Sequence, residues 1–215
     1  MEIHGYLLDI DGTLIDSTKA HLVAWKKALR TYGVMKSNDE IKRHFGKPTR
    51  IIAQELLGND DFMTAQRMAE EKSDYFIKSV NKIDVYPNVR AILKELANQN
   101  KKIVFASSNY NIVIEAIVKE FGWDEISQGF VGIDDITHGK PHPEMIERAL
   151  KLSGTKPEES VMIGDSTYDV EAGKAAGTKT VAVCTKHSEM DWKRLKPDLI
   201  IPTFGQLALH LPLDL

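Results

Sequence analysis

Four short apolar runs punctuate the chain: GYLLDI at 5–10, KIVFAS at 102–107, SVMIGD at 160–165 and KTVAVC at 179–184. A weaker fifth, DLIIP, covers 198–202. Each is continuously apolar rather than alternating, as expected of parallel strands covered on both faces. Between the later runs lie amphipathic stretches, Asn111–Phe121, Pro143–Leu152 and Val170–Ala176. Strand–helix alternation of this kind predicts an α/β fold built on a doubly wound parallel sheet. Right-handed crossovers then gather the C-terminal ends of the strands on one edge, where such sheets bind ligands.

The segment between the first two runs follows a different pattern. From about Ser17 to Ile83 the apolar positions keep helical spacing and no strand is evident. The first helix has N-cap candidates in Ser17 and Thr18, an apolar stripe of Leu22, Trp25, Leu29 and Tyr32, and a stop at Gly33. NDEIKRHF and RIIAQELLG follow, broken by Gly46 and Pro48, and a long stretch runs from Asp61 to Val80. After the turn DVYPNV, a further helix over Val89–Gln99 leads into the second strand. Some 65 helical residues are too many for an ordinary crossover. The chain therefore divides into a core of residues 1–15 and 85–215 and an inserted helical subdomain of residues 16–84, joined by linkers near Asp16 and Asp84–Pro87.

Composition narrows the classes. The 28 basic residues are interspersed with 31 acidic ones, so no broad cationic field is present to attract nucleic acid or a membrane surface. The opening residues carry Asp9 and Asp11 inside their apolar stretch and lack the basic start of a signal peptide. No stretch approaches the roughly 18 uninterrupted apolar residues of a spanning helix. Cys184 is the one cysteine, which excludes an internal disulfide and a thiolate metal cluster. These features fit a cytoplasmic protein.

The chemistry sits where the strands end. Asp9 and Asp11 are two apart at the end of the first run, so strand alternation points them the same way. Paired carboxylates there repel unless a cation or shared proton compensates, and hard oxygen ligands suit Mg²⁺. Gly12 permits close backbone approach to a ligand, and amides around Gly12 and Thr13 are candidates to receive phosphate oxygens. Asp165 ends the third run, with Asp169 one helical turn further on. N-capping accounts for one of these two carboxylates, but not for four converging on one edge. Ser107 ends the second run in FASSN, followed by Ser108 and Asn109. Lys140 precedes Pro141 and Pro143, which pin the local backbone. Taken singly, Ser107 reads as a turn residue and Lys140 as a solvated surface group.

Together these residues resemble the haloacid dehalogenase superfamily of phosphotransferases, whose four motifs occur here in order over nearly the whole chain. DxDGT stands as Asp9-Ile10-Asp11-Gly12-Thr13, the strand-end hydroxyl as Ser107, the lysine before proline as Lys140, and GDSxxD as Gly164 to Asp169. The resemblance implies a Rossmann-like core with an α-helical cap, which residues 16–84 would form. It implies a Mg²⁺-dependent phosphatase acting on a small phosphate monoester through an aspartyl-phosphate. Asp9 would be the nucleophile, and Asp11 the general acid for the leaving oxygen and then the base for water. Mg²⁺ would be held by Asp9, the Asp11 backbone carbonyl and Asp165, with Asp169 orienting that shell or acting through water. Ser107 and Lys140 would bind the transferring phosphoryl oxygens, and Ser108 and Asn109 would contact substrate. The implied partner is a small phosphorylated metabolite, with no nucleic acid or membrane, and monomer and dimer both stay open.

Asp11 separates the chain from dehalogenases and phosphonate hydrolases, which lack that second aspartate. DSTKAHLVAWKKAL resembles the start of the β-phosphoglucomutase cap, where a His precedes a Trp by four residues as His21 precedes Trp25 here. A phosphomutase is thus the alternative to a phosphatase, and a non-catalytic binding module a remoter one. His21–Trp25 is also ordinary helical packing, and GDSxxD is the usual phosphatase form. In the cap, IKRHFGKPTR (41–50) makes Lys47 and Arg50 candidates for a second anionic group of the substrate, against the plain reading of a solvated basic face. Phosphoglycolate and sugar phosphates are the expected substrate types.

Overall fold

A computed structural model describes residues 2–58, 60–185, 192 and 194–213. Its main sheet has six parallel strands in the order β5-β4-β1-β6-β7-β8. These are β1 (Gly5–Leu8), β4 (Lys102–Ala106), β5 (Gly129–Val131), β6 (Ser160–Gly164), β7 (Lys179–Val183) and β8 (Leu199–Ile201). Central β1 is in register with both neighbours, Leu7 opposite Val104 on β4 and Met162 on β6.

Alternation along the strands divides the core into two layers, which explains the continuously apolar runs. Tyr6 and Leu8 join Ile103, Phe105, Val161 and Ile163 on one face, under α5 (Val89–Asn98) and α6 (Asn111–Phe121). Leu7, Val104, Ala106 and Met162 face the other way, under α7 (Glu144–Ser153) and α8 (Thr167–Ala175). Apolar area removed from water on both faces holds the sheet rigid, at roughly 25 cal/mol per Å². The chain winds outward from β1 in both directions, so a topological switch point lies between β4 and β6 at the C-terminal end of β1. Asp9 immediately follows that end.

Four α-helices intervene between β1 and α5: α1 (Thr18–Thr31), α2 (Asn38–Lys42), α3 (Thr49–Leu57) and α4 (Phe62–Ile77). They surround a second apolar cluster that includes Leu22, Trp25, Leu29, Ile41, Ile52 and Met68. The chain leaves and re-enters the core through a small antiparallel ribbon, β2 (Ile15–Asp16) and β3 (Asp84–Val85), with Ile15 opposite Val85. This ribbon and β5 are strands that the apolar pattern does not predict. Two or three residues are too few for a period, and β5 is a half-buried edge. Among the described residues no helix is long and apolar enough to cross a membrane.

Candidate active site

The switch point is occupied by a cleft between the sheet edge and the helical layer, lined by Asp9, Asp11, Ser107, Lys140, Asp165 and Asp169 on the core side. β1 delivers Asp9, β4 delivers Ser107, and β6 with the start of α8 delivers Asp165 and Asp169. Asp9, Ser107 and Asp165 sit at strand ends for the same reason: the apolar run stops where the sheet stops, and a polar group there faces the cleft.

Lys140 organises the buried half. Its ammonium donates to Asp9 Oδ1 at 3.0 Å, Asp169 Oδ1 at 2.5 Å and the Ala106 carbonyl at 2.9 Å. Three protons thus meet three acceptors, which is what a buried ammonium requires. Burial works against its charge, but the two carboxylates outweigh burial and push its pKa well above the usual lysine range. Asp9, Asp165 and Asp169 are all buried, and each offers an oxygen within 4.8 Å of the others. Burial and the charges of Asp9 and Asp165 raise the Asp169 carboxyl against the pull of Lys140. Three carboxylates against one ammonium leave negative charge in excess, and the donors are hard oxygens. The cluster therefore fits a divalent cation such as Mg²⁺.

Asp11 belongs to a different neighbourhood. β1 ends at Leu8, so strand alternation does not align Asp11 with Asp9. Its carboxylate accepts from Ser17 Oγ at 2.5 Å and Asn109 Nδ2 at 2.6 Å, and pairs with His21 Nε2 at 2.9 Å. The side chain accordingly turns away from the Asp9–Asp165–Asp169 cluster, leaving only its backbone for the metal role expected from the sequence. Burial opposes its ionisation, but the His21 charge and hydrogen bond, the Ser17 hydroxyl and the Lys72 charge together hold the carboxyl well below the usual range. His21 stacks on Phe76 with ring centroids 4.2 Å apart, which fixes the imidazole against Asp11.

The remaining expectations divide. Ser107, Ser108, Asn109, His21 and Lys47 all line the cleft, whereas Gly12, Thr13 and Arg50 do not. Gly12 has φ of +84°, which favours glycine, but its N–H donates to the Ile15 carbonyl at 2.9 Å. Thr13 is fully buried, its N–H directed to Ile10 and its hydroxyl to Asp9 Oδ2 at 3.3 Å. The Gly12 and Thr13 amides are thus turned to loop carbonyls and shape the loop that carries the aspartates. Arg50 stacks on the Phe62 ring at 4.6 Å and bonds Gln54, so an aromatic ring rather than a ligand takes its cation. Lys47 reaches the cleft, but its ammonium is bound to both oxygens of Glu55 at 2.7 and 2.8 Å.

Lys72 is the residue that sequence reasoning missed. It lines the cleft from α4, 1% exposed, with its ammonium 4.9 Å from the Phe76 ring centroid and 5.6 Å from that of Trp25. Burial lowers its pKa to about 8, partly offset by the charge of Asp11. The signal was available: Ala65, Met68, Ala69 and Phe76 form the buried stripe of α4, and Lys72 falls within it. A cation in the middle of an apolar stripe needs an anion or a ligand to face.

An α/β sheet with this constellation at its switch point defines a class, and comparison with known proteins gives the family. Residues 6–183 match the haloacid dehalogenase-like hydrolases, and the chain belongs to that family. It is an enzyme, a phosphatase of Rossmann-like architecture. The pyrophosphatase PpaX of Bacillus cereus (strain AH820) is 30% identical over 217 residues, 96% of this chain and 95% of that protein. A solved structure from Bacteroides fragilis, described as a haloacid dehalogenase-like hydrolase, superposes with a TM-score of 0.87 at 29% identity, covering 96% of this chain and 100% of that one. β-Phosphoglucomutase from Clostridium difficile shares the fold, with a TM-score of 0.82 at 22% identity over 95% of this chain and 93% of that one.

Proposed function

We propose that the chain is a Mg²⁺-dependent phosphatase that hydrolyses a small phosphorylated metabolite through an aspartyl-phosphate on Asp9. The observation that carries this reading is the buried ammonium of Lys140 set on both Asp9 and Asp169, beside Ser107 and Asp165. An anionic nucleophile can attack an anionic phosphoryl group only where positive charge offsets the repulsion, and Lys140 places it there.

Asp9, Asp165 and the Asp11 backbone would hold Mg²⁺, which when bound neutralises charge on the phosphoryl oxygens. Asp169 orients Lys140, and Ser107 holds a phosphoryl oxygen. Asp9 attacks phosphorus from the floor of the cleft. Asp11 lies on the opposite, cap-facing side, where a leaving oxygen would emerge. As it stands Asp11 is ionised, the form of a base that takes a proton from water in the second step. To act first as the acid it must gain a proton, and His21 Nε2 at 2.9 Å is the adjacent source.

We further propose that residues 16–84 act as the cap and select the leaving group. Lys72 gives that side of the cleft a buried cation, which favours a small anionic leaving group such as the glycolate of phosphoglycolate or the phosphate of pyrophosphate. The name of the PpaX relatives supports the second. A mutase reading rests on His21 alone; conversion of β-glucose 1-phosphate to the 6-phosphate without free phosphate would favour it. The decisive screen is Mg²⁺ with p-nitrophenyl phosphate, pyrophosphate and a panel of phosphate esters, alongside Asp9→Asn. Phosphate release lost in the variant is expected, and no release from any compound would overturn the proposal.

A further inference from the structure

The segment that brings Lys140 to the cleft also carries metal-ligating side chains that phosphoryl transfer does not use. His138, His142 and Glu144 each offer one donor atom, and these three atoms lie within 4.8 Å of one another. The two imidazoles are 4.7 Å apart between centroids, and His138 Nδ1 lies 3.4 Å from Glu144 Oε2. Glu144 is held in place from behind: its carboxylate accepts the N–H of Thr137 at 3.0 Å and of His138 at 2.9 Å, with Arg148 at 3.4 Å. His142 Nδ1 accepts the Glu144 N–H at 3.2 Å, which fixes that ring. Pro141 and Pro143 limit the backbone between the ligands. Both histidines are exposed, so an ion can enter directly from solvent.

Donor chemistry distinguishes this group from the buried one. Asp9, Asp165 and Asp169 present only carboxylate oxygens, suited to Mg²⁺. Two imidazoles and one carboxylate suit a borderline divalent ion, with water completing the shell. Hydrogen bonds that orient a ligating carboxylate strengthen such sites, and Glu144 already has them. We propose that His138, His142 and Glu144 form a second cation site, selective for Zn²⁺-class transition metals over Mg²⁺ and separate from the catalytic cluster. The site lies astride Lys140 in sequence. It also sits close to the helical layer, since a Cβ on Gly139 would lie 3.3 Å from Pro48. It does not depend on the phosphatase reading.

Isothermal titration of the tag-free, full-length protein with Zn²⁺, in saturating Mg²⁺, tests it. The wild type is expected to take up one equivalent that His138→Asn/His142→Asn does not, while the double variant keeps the Mg²⁺-supported turnover of the wild type. Asparagine at 142 still accepts the Glu144 N–H, which keeps the segment folded. A second variant, Glu144→Gln, retains both imidazoles and is expected to weaken the same equivalent by about 10–100-fold. Equal Zn²⁺ uptake by wild type and double variant, or no uptake by the wild type in Mg²⁺, would overturn the proposal.

Discussion

Lys140 and Lys72 are both buried ammonium groups, and they differ in what surrounds them. Lys140 has a hydrogen-bond acceptor for every proton, two of them carboxylates. Removing it strands Asp9 and Asp169 as buried, uncompensated charges, so Lys140→Met should destabilise the metal-free protein by about 3–5 kcal/mol. Denaturant unfolding measures this directly. Lys72 instead lies against the rings of Trp25 and Phe76. Lys72→Met keeps the length and removes the desolvated charge, so its melting temperature should hold or rise. Its kcat/KM should fall about 10-fold or more, equivalent to about 1.4 kcal/mol of lost transition-state stabilisation. The sign of the pH effect follows from the pKa of about 8. Wild-type turnover should decline as pH rises through that value and Lys72 loses its proton, and this alkaline limb should be absent in Lys72→Met.

At the scale of elements, α8 shows why one sequence feature could support two readings. Ser166 caps the helix by accepting the Tyr168 N–H at 3.2 Å, and Asp169 completes the capping box by accepting the Ser166 N–H at 3.1 Å. The same Asp169 carboxylate binds Lys140, so capping and active-site roles coincide rather than compete. Ser166→Ala should cost about 1 kcal/mol and lower the melting temperature by about 2–4 °C, as calorimetry would record. Gly164 is part of the same arrangement, since a Cβ there would fall 2.3 Å from Asp169 Oδ2. The parallel strands and the helices were legible because burial on both faces, or on one stripe, leaves a periodic trace. The β2–β3 ribbon was not, because two residues per strand leave none. Asp9 and Asp165 were legible as strand-end carboxylates, whereas Ser107 and Lys140 stood out only through the resemblance to the family's motifs. Lys72 was overlooked although its place in the α4 stripe marked it. The fates of Thr13 and Arg50 depend on neighbours, Ile10 and Phe62, that spacing alone does not reveal.

Across the whole molecule, stability and catalysis are linked through one pocket of excess negative charge. Asp169 in the folded protein is raised from the ordinary carboxylate value to about 7, chiefly by burial. A folded carboxyl with a raised pKa binds more protons than the unfolded chain between those values. Stability of the metal-free protein is therefore lost, through this group, as pH rises from about 4 to about 7. Measured against Asp169→Asn, the metal-free melting temperature of the wild type should fall across that window. Mg²⁺ should reverse the fall, because a ligand bound only by the folded state stabilises it by mass action. EDTA should abolish turnover. The central claim is that Asp9 itself becomes phosphorylated, and it can be read most directly by acid-quenching a turnover with phosphorus-labelled substrate to trap the protein-bound label, then locating by mass spectrometry the homoserine that borohydride reduction leaves, with loss of phosphate, where an aspartyl-phosphate stood. An acid-stable, hydroxylamine-labile phosphate on Asp9 is predicted. Steady phosphate release with no protein-bound phosphate, or with the label on another residue, would contradict it.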